Sequence, residues 1–433
     1  METITKKNIL GDKLISEFES SKNSLFGNAI LREQAIESFS RQGIPNRKHE
    51  EYKYVNMELM LKDEFAIAKG KTLTCEKTKH LNILKDAYIV TIVNGIFSEG
   101  LSILQNLPTG LTICSLTKAA KNYSSIYEKH YALYADINSD AFIALNTAMA
   151  GDGVFIHIEK NTLIEKAIRI IHISTADQNS MVHPRNLIVV EKNAQVKIIE
   201  SFETIDSTAK TFNNVLSEIF VDENAVVDYY KIQDENQFGY LLNTTQIIQK
   251  KQSVLSTYTF TLSGSLVRNN LNIVLDGEGI ESHLYGLYLT NENQVVDNHT
   301  VVDHRKPNCN SNELYKGIID GKSTATFNGK IFVRRDAQKT NAFQSNKNIL
   351  LSDDGTINTK PQLEIYADDV KCSHGTSTGK LDEDKIFYLR ARGLSETSAK
   401  KLLMHAFASE VVNTIKIGTL REYIEEKVSK RFE

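Results

Sequence analysis

One short segment of the sequence holds two side chains that could bind iron together. The segment Val370–His374 reads VKCSH, and if it is extended, Cys372 and His374 project from one face about 6.6 Å apart along the strand. A thiolate and an imidazole are ligand types that iron and cluster intermediates accept, but a stable site needs about four ligands. The pair therefore predicts half of a metal site, which a second chain could complete. A buried thiol beside a hydrogen-bonded histidine is the alternative.

A second segment resembles a phosphate-binding loop but lacks its spacing. Lys316–Thr324 reads KGIIDGKST, in which Gly317 and Gly321 are separated by three residues, whereas the loop needs four. The text that follows, TATFNGKIFV, continues as a strand where a phosphate loop must open a helix. We therefore expect no nucleotide site here.

Two acidic pairs raise the alternative of a polysaccharide-cleaving enzyme, which would need paired carboxylates. These are Asp353-Asp354 and Asp368-Asp369, but adjacent residues of a strand point to opposite faces. Asp353-Asp354-Gly355 is more typical of a turn, and the chain has no tryptophan. Both observations count against that enzyme class.

Composition narrows the partners and the compartment. The 433 residues include 51 Lys plus Arg and 54 Asp plus Glu, and a net charge of -3 favours neither nucleic acid nor an anionic membrane. No secretion signal or apolar stretch of about 20 residues stands out, so we expect a cytoplasmic protein. The cysteines lie far apart, which disfavours a disulfide framework. They are Cys75, Cys114, Cys309 and Cys372.

The elements that position the cysteine–histidine pair fall into three parts. Residues 1–150 form an N-terminal helical and mixed domain, with a helix over Ser24–Arg41 that Gly43 stops and a strand pair around Asn94-Gly95. Residues 151–378 form a strand-rich core, and residues 379–433 form a C-terminal helical domain. The fold is therefore expected to be mainly β.

The core carries a weak internal repeat. EKNAQVKIIE and DENAVVDYYK place Asn193 and Asn224 at equivalent points 31 residues apart. A strand-rich repeat of roughly 25–31 residues with few helical patterns fits the coils of a β-helix, each of which buries its apolar side chains against its neighbours. A β-sandwich is the competing architecture.

The C-terminal part contains two predicted helices. Asp382 caps the first, Gly393 ends it and Ser395 starts a longer one. The longer helix carries an apolar stripe that packs either on the chain's own core, including the end of the β-helix, or on a partner. The stripe comprises Leu403, Phe407, Val411 and Ile415, widened by Ala399, Leu402 and Ala406.

Three long segments resemble the SufB/SufD family of iron–sulfur cluster assembly proteins. They are Asp297–Ile319, Pro361–Gly375 and Asp384–Gly393. Near the N-terminus, GIPNRKHEEYKYVN is similar to a further family segment, with Tyr52 where tryptophan is usual. Cys-Ser-His-Gly resembles the SufD-like branch rather than the SufB-like branch. Matching NAFQSNKNILL to SufB-like text places Asn346 where those chains carry a cysteine.

The resemblance implies a right-handed parallel β-helix core flanked by helical N- and C-terminal parts. It implies a non-catalytic scaffold that pairs with a SufB-like paralogue and docks a SufC-like ATPase on its C-terminal helices. Cys372 and His374 would face the paralogue and share iron or a transient iron–sulfur cluster with it, and no cofactor would be tightly bound. Cys309 and His304 are expected to be structural.

The different class of function left open is a stand-alone homodimeric β-helix that binds partners without cluster chemistry. A homodimer is also possible for the isolated scaffold.

Overall fold

The computed structural model describes residues 9–22, 25–57, 61–62, 64–68, 73–78, 81, 86–207 and 209–431. Its α-helices are α1 Ile9–Ser21, α2 Ala29–Gln42, α3 Cys75–Thr78, α4 Leu116–Asn122, α5 Ser124–His130, α6 Ala141–Met149, α7 Glu383–Ala391, α8 Glu396–Val412 and α9 Gly418–Arg431. Its strands are β1 Ala66–Ile67, β2 Ala87–Val93, β3 Ile96–Phe97, β4 Leu111–Ser115, β5 Val154–Ile158, β6 Ala167–Ser174, β7 Ser180–Val182, β8 Arg185–Val190, β9 Gln195–Thr204, β10 Thr211–Val221, β11 Val226–Gln233, β12 Gly239–Gln249, β13 Val254–Thr261, β14 Leu266–Leu275, β15 Glu281–Thr290, β16 Val295–His304, β17 Asn310–Ile319, β18 Thr324–Val333, β19 Asn341–Leu350, β20 Thr356–Ile365 and β21 Lys371–Gly379.

The strands form two long parallel sheets that wind into a solenoid. The first sheet has the order β20-β18-β16-β14-β12-β10-β8-β5-β4, and the second has the order β21-β19-β17-β15-β13-β11-β9-β6-β2-β3. Each coil contributes one strand to each sheet, from β5 with β6 to β20 with β21. The predicted parallel β-helix is confirmed, and the β-sandwich is excluded because its sheets would be antiparallel.

The predicted repeat sets the register of these coils. Val226 of β11 pairs with Gln195 of β9, 31 residues earlier in the chain. In the turns before these strands, Asn193 and Asn224 both adopt left-handed backbone conformations, with φ of 59° and 60°. Asn224 Nδ2 donates to Asn193 Oδ1 at 3.2 Å, so one coil repeats the turn of the coil beneath it. Asparagine tolerates this conformation better than most residues, which explains its recurrence.

The space between the two sheets, here called the lumen, is filled by stacked apolar side chains over much of its length. One column in the first sheet runs through successive register partners, each almost fully buried. Burying each such side chain contributes about 1.5–3 kcal/mol. The column comprises Ile156, Ile188, Ile219, Ile247, Ile273, Val302 and Ile331.

The N-terminal part closes one end of the solenoid. β2 pairs with β6 in parallel and β4 pairs with β5 in antiparallel orientation. The predicted strand pair around Asn94-Gly95 is present as the β2–β3 hairpin, where both turn residues have positive φ. The predicted helix is α2, which begins at Ala29 after the cap Asn28 and is followed by Gly43. Ser24 lies outside the described residues.

The segment after α2 attaches to the outer face of the first sheet. Tyr52 is buried and its hydroxyl donates to Asp140 Oδ2 at 2.6 Å. The Arg268 guanidinium lies 3.9 Å from the centre of the Tyr52 ring, and Glu51 Oε2 lies 3.2 Å from His299 Nδ1. Tyr52 therefore anchors the N-terminal part to β14 and β16.

The C-terminal helices lie along the outer face of the second sheet. Asp382 and Ser395 cap α7 and α8 as predicted, and Gly393 has a φ of 95° after α7. Leu402 and Ala406 of the predicted stripe are exposed, so these two side chains do not pack on the chain's own core, and the alternative of a partner stays open for them. Ala399 of α8 is buried. The side chains of α8 that pack on the second sheet are Met404, Ala408, Val411 and Val412, followed by Ile415.

Small Ala408 and flexible Met404 lie on the face of α8 that packs on the second sheet, and Leu402 and Ala406 lie on the opposite side of the helix. Much of the helix therefore packs on the chain's own solenoid, along its side rather than at its end. No α-helix of the described residues has the length and apolarity needed to cross a membrane.

Candidate functional site

The cysteine–histidine pair lies on β21, the outermost strand of the second sheet. Cys372 is the register partner of Ala342 and His374 is the register partner of Gln344, both on β19. Ala342 and Gln344 are buried and face the lumen. Because facing alternates along a strand, Cys372 and His374 also lie on the lumen side. The structure therefore places both predicted residues on one face of the last coil.

The environments of the two side chains differ. Cys372 is half-buried and packs against the apolar core, and this burial raises the pKa of its thiol. His374 is exposed. Among the described residues, no group of three or more His, Cys, Asp or Glu side chains is arranged to hold a metal ion. The pair within this chain therefore supplies two donors, fewer than a stable iron site requires.

The layer directly below the pair is polar. Gln344 Nε2 donates to Glu313 Oε2 at 2.7 Å, and both side chains are buried. Burial raises the pKa of Glu313 to about 7. No sequence motif marks Glu313 and Gln344, but the repeat relates them to His374. Gln344 follows Glu313 by one coil of 31 residues, and His374 follows by one more coil.

The edge of β21 is open to backbone pairing. Lys371 donates its N–H to the carbonyl of Thr340, the residue before β19, so the alternate N–H groups, including that of Thr376, point away from the sheet. In the first sheet, Pro361 removes one donor from the outermost strand β20. The edge of β21 therefore offers more free backbone donors than the edge of β20, and another strand can pair along it more completely.

Exposed aromatic side chains flank this last coil. Phe343 of β19 is 43% exposed, and Tyr366, which follows β20, is 56% exposed. Apolar groups of this size beside an open strand edge are typical of a protein interface.

Three other positions considered from the sequence lie inside the solenoid. Asn346 faces the lumen and its Nδ2 donates to the Tyr288 hydroxyl at 3.1 Å. Cys309 is buried and its thiol donates to the Gly277 carbonyl at 3.1 Å. Burial lowers the pKa of His304 to about 4, and its Nε2 lies 2.9 Å from Ser311 Oγ. Cys309 and His304 therefore have local partners of their own.

The two rejected motifs are connections between strands. KGIIDGKST ends β17, turns at Gly321 with a φ of 62° and enters β18 rather than a helix. Asp353-Asp354 lies in the turn between β19 and β20, and Asp353 Oδ1 pairs with Lys380 Nζ at 2.5 Å.

An ionic and aromatic contact fastens α8 to the strands next to β21. Lys316 of β17 is buried, and its ammonium lies 2.6 Å from Glu410 Oε2 and 4.0 Å from the centre of the Phe407 ring. Lys347 of β19 also approaches Glu410, at 3.2 Å. The outward side of the helices exposes Phe387 and Tyr388 of α7, at 73% and 57%, and Leu402 of α8.

Two family models match most of the chain. The family model "SUF system FeS cluster assembly, SufBD core domain" matches residues 172–407, and the model "SufBD protein N-terminal region" matches residues 18–170. The chain is 33% identical over 410 residues to an iron–sulfur cluster assembly SufBD family protein of Synechocystis sp., covering 92% of this chain and 90% of that protein.

A second relative is the iron–sulfur cluster assembly protein SufD of Escherichia coli, which is 28% identical over 402 residues, covering 92% of each chain. These matches show that the chain belongs to the SufBD family of iron–sulfur cluster assembly proteins.

Proposed function

We propose that this chain is a non-catalytic scaffold subunit that pairs with a SufB-like paralogue through its last coil. Iron and sulfide would be substrates that combine at this interface, with His374 and Cys372 as ligands from this side. The observation that carries the proposal is the position of both donors on the outermost strand of an open solenoid end. The two-donor count is what a site shared between two chains requires.

Backbone pairing would provide the affinity for the paralogue. An incoming strand along β21 would satisfy the free N–H and C=O groups, and the exposed Phe343 and Tyr366 would be covered at the same time. Covering the coil also removes water from His374, which strengthens its interaction with a cation.

ATP hydrolysis would belong to a SufC-like partner that docks on α7 and α8. The exposed Phe387, Tyr388 and Leu402 provide an apolar surface for that contact. Lys316 and Lys347 join α8 to β17 and β19, so a movement of the docked ATPase would reach the strands beside β21. Movement of this kind would reorient the paired solenoids and expose the shared ligands.

A proline substitution at the open edge tests the pairing. Thr376→Pro removes an N–H that points away from β19 and leaves the bonds between β19 and β21 in place. Co-expression with tagged SufB-like and SufC-like partners should recover much less of the Thr376→Pro chain, while the control Thr376→Val should be recovered like wild type. Equal recovery of the proline variant, with an unchanged melting temperature, would reject pairing through β21.

The same experiment separates the homodimeric alternative. If the chain forms a stable homodimer but is not recovered with either partner, the stand-alone binding module is the better account. The scaffold function requires recovery with the paralogue.

A further inference from the structure

A column of side chains leads from the lumen to His374. Leu284, Glu313, Gln344 and His374 are successive register partners on β15, β17, β19 and β21. Register partners of neighbouring parallel strands lie about 4.8 Å apart, so side chains on the same face can reach each other. Glu313 and Gln344 already do so through their hydrogen bond of 2.7 Å.

Two neighbours define the position of the Gln344 amide. Its nitrogen faces Glu313, and an ionised Glu313 can only accept that hydrogen bond. On the opposite sheet Gly329 leaves room for the amide, because a Cβ atom at position 329 would lie 1.9 Å from Gln344 Nε2. The amide group therefore has little room to move, and its hydrogen bond to Glu313 sets which end faces that carboxyl group.

In this orientation the amide oxygen of Gln344 points away from Glu313. Gln344 is 3% exposed, and its Oε1 has no hydrogen-bond partner among the described residues. A buried carbonyl without a partner is costly, and most such groups in proteins are satisfied. The next side chain along the column is that of His374, whose ring carries an N–H donor.

We infer that Gln344 is a positioning residue for His374: its Oε1 accepts the imidazole N–H when a partner covers the last coil. The other ring nitrogen then keeps its lone pair and points toward the interface, where it can bind iron. Glu313 and Gly329 act one step further away by holding the amide. This inference rests on the proposed function, because it requires His374 to be an iron ligand.

The exposure of His374 in the single chain agrees with this view. No further coil lies above β21 among the described residues, so nothing holds the ring over the lumen. A covering chain would press the ring inward and exclude the water that competes for both nitrogens.

The test measures ferrous iron binding alone, without sulfide, to the anaerobic complex of the full chain with its SufB-like and SufC-like partners. Gln344→Met keeps the length of the side chain and removes the acceptor, and it should weaken iron affinity roughly tenfold or more. In a His374→Ala background the same substitution should cause no further loss, because the two residues act as one unit.

An exchanged pair provides the rescue. Glu313→Gln combined with Gln344→Glu restores a hydrogen bond between the two positions and an acceptor below His374. Iron affinity should return toward that of the wild type, because the carboxylate at position 344 accepts the imidazole N–H in place of the amide oxygen. Melting temperatures of all variants identify a loss that comes from unfolding. If Gln344→Met does not assemble, the exchanged pair alone decides the question.

Two failures are distinguishable. If His374→Ala binds iron as tightly as wild type, the proposed function is wrong. If His374→Ala weakens binding but Gln344→Met does not, or weakens it equally in both backgrounds, only the role of Gln344 is overturned. An exchanged pair that folds and assembles but binds iron as weakly as Gln344→Met also overturns that role.

Discussion

Burial controls the protonation of several carboxyl groups in this chain. Glu235 is almost fully buried, and burial raises its pKa to about 8 although Asn213 Nδ2 donates to it at 2.6 Å. Glu51 is partly exposed, and its hydrogen bond with His299 lowers its pKa to about 2. The two groups therefore link stability to pH with opposite signs.

The raised pKa of Glu235 predicts a loss of stability as pH rises. Between about pH 4.5 and pH 8 the unfolded chain ionises this group while the folded chain holds it neutral, so unfolding releases a proton. Between pH 5 and pH 8 the free energy of unfolding should therefore fall by about 2–4 kcal/mol less in Glu235→Gln than in the wild type. Urea unfolding at the two pH values measures this difference, with the exposed Glu128→Gln as control. Parallel declines in wild type and Glu235→Gln would contradict the assignment.

The lowered pKa of Glu51 predicts a loss of stability in acid. Its contribution is present above about pH 4.5 and disappears as pH falls toward 2, because protonation breaks the contact with His299. After allowing for solvent screening, we expect roughly 1 kcal/mol. Glu51→Gln should be less stable than wild type at pH 6 and equal to it near pH 2. Unfolding curves measured between pH 6 and pH 2 test this prediction. A stability difference between Glu51→Gln and the wild type that does not change with pH would exclude the linkage.

At the scale of elements, one carboxylate adds an ionic contact to the apolar packing of α8 on the solenoid. Glu410 pairs with Lys316, whose buried ammonium also lies over Phe407. On the same helix, Glu396 pairs with Lys400 at 2.7 Å in an exposed position. The exposed pair should contribute little, because solvent screens it.

Removing the buried contact should loosen α8 selectively. Glu410→Ala leaves Lys316 without its partner, which costs about 1–1.5 kcal/mol, so amide exchange in α8 should accelerate roughly fivefold to tenfold. Glu396→Ala serves as the matched control and should leave most of α8 unchanged. Equal exchange rates in the two variants would show that Glu410 does not anchor the helix.

Periodicity explains which elements could be predicted from the sequence. The 31-residue spacing of Asn193 and Asn224 reflects a turn that one coil repeats from the coil beneath it, so the local sequence was sufficient to predict the repeat. The helix caps at Asp382 and Ser395 depend on neighbouring residues and were also readable. The buried face of α8 could not be predicted in this way, because it depends on the surface of the second sheet, on which the helix packs.

Only part of the candidate site could be predicted from the sequence. Alternation along a strand placed Cys372 and His374 on one face. Gln344 and Glu313 required the register between coils, and Gly329 required the distance across the lumen. Because the length of the repeat varies, a single sequence gives neither the register between coils nor the distance across the lumen.

At the scale of the whole molecule, the two ends of the solenoid differ. β2, β3 and β4 close the first end, whereas β20 and β21 are the outermost strands at the other. The two ligand candidates lie at the open end, and α8 connects the neighbouring strands to an exposed apolar surface. This asymmetry suits a subunit whose chemistry takes place at an interface.

The most direct measurement is anaerobic reconstitution of the co-purified complex with SufB-like and SufC-like partners, with iron and sulfide counted per complex. His374→Ala and Cys372→Ala are compared with wild type and with Thr376→Val. We predict that all variants assemble, that both ligand variants load less cluster than wild type, and that at limiting iron the His374→Ala complex loads roughly tenfold less. Equal iron and sulfide in wild type and both ligand variants would contradict the account and leave this chain a structural subunit.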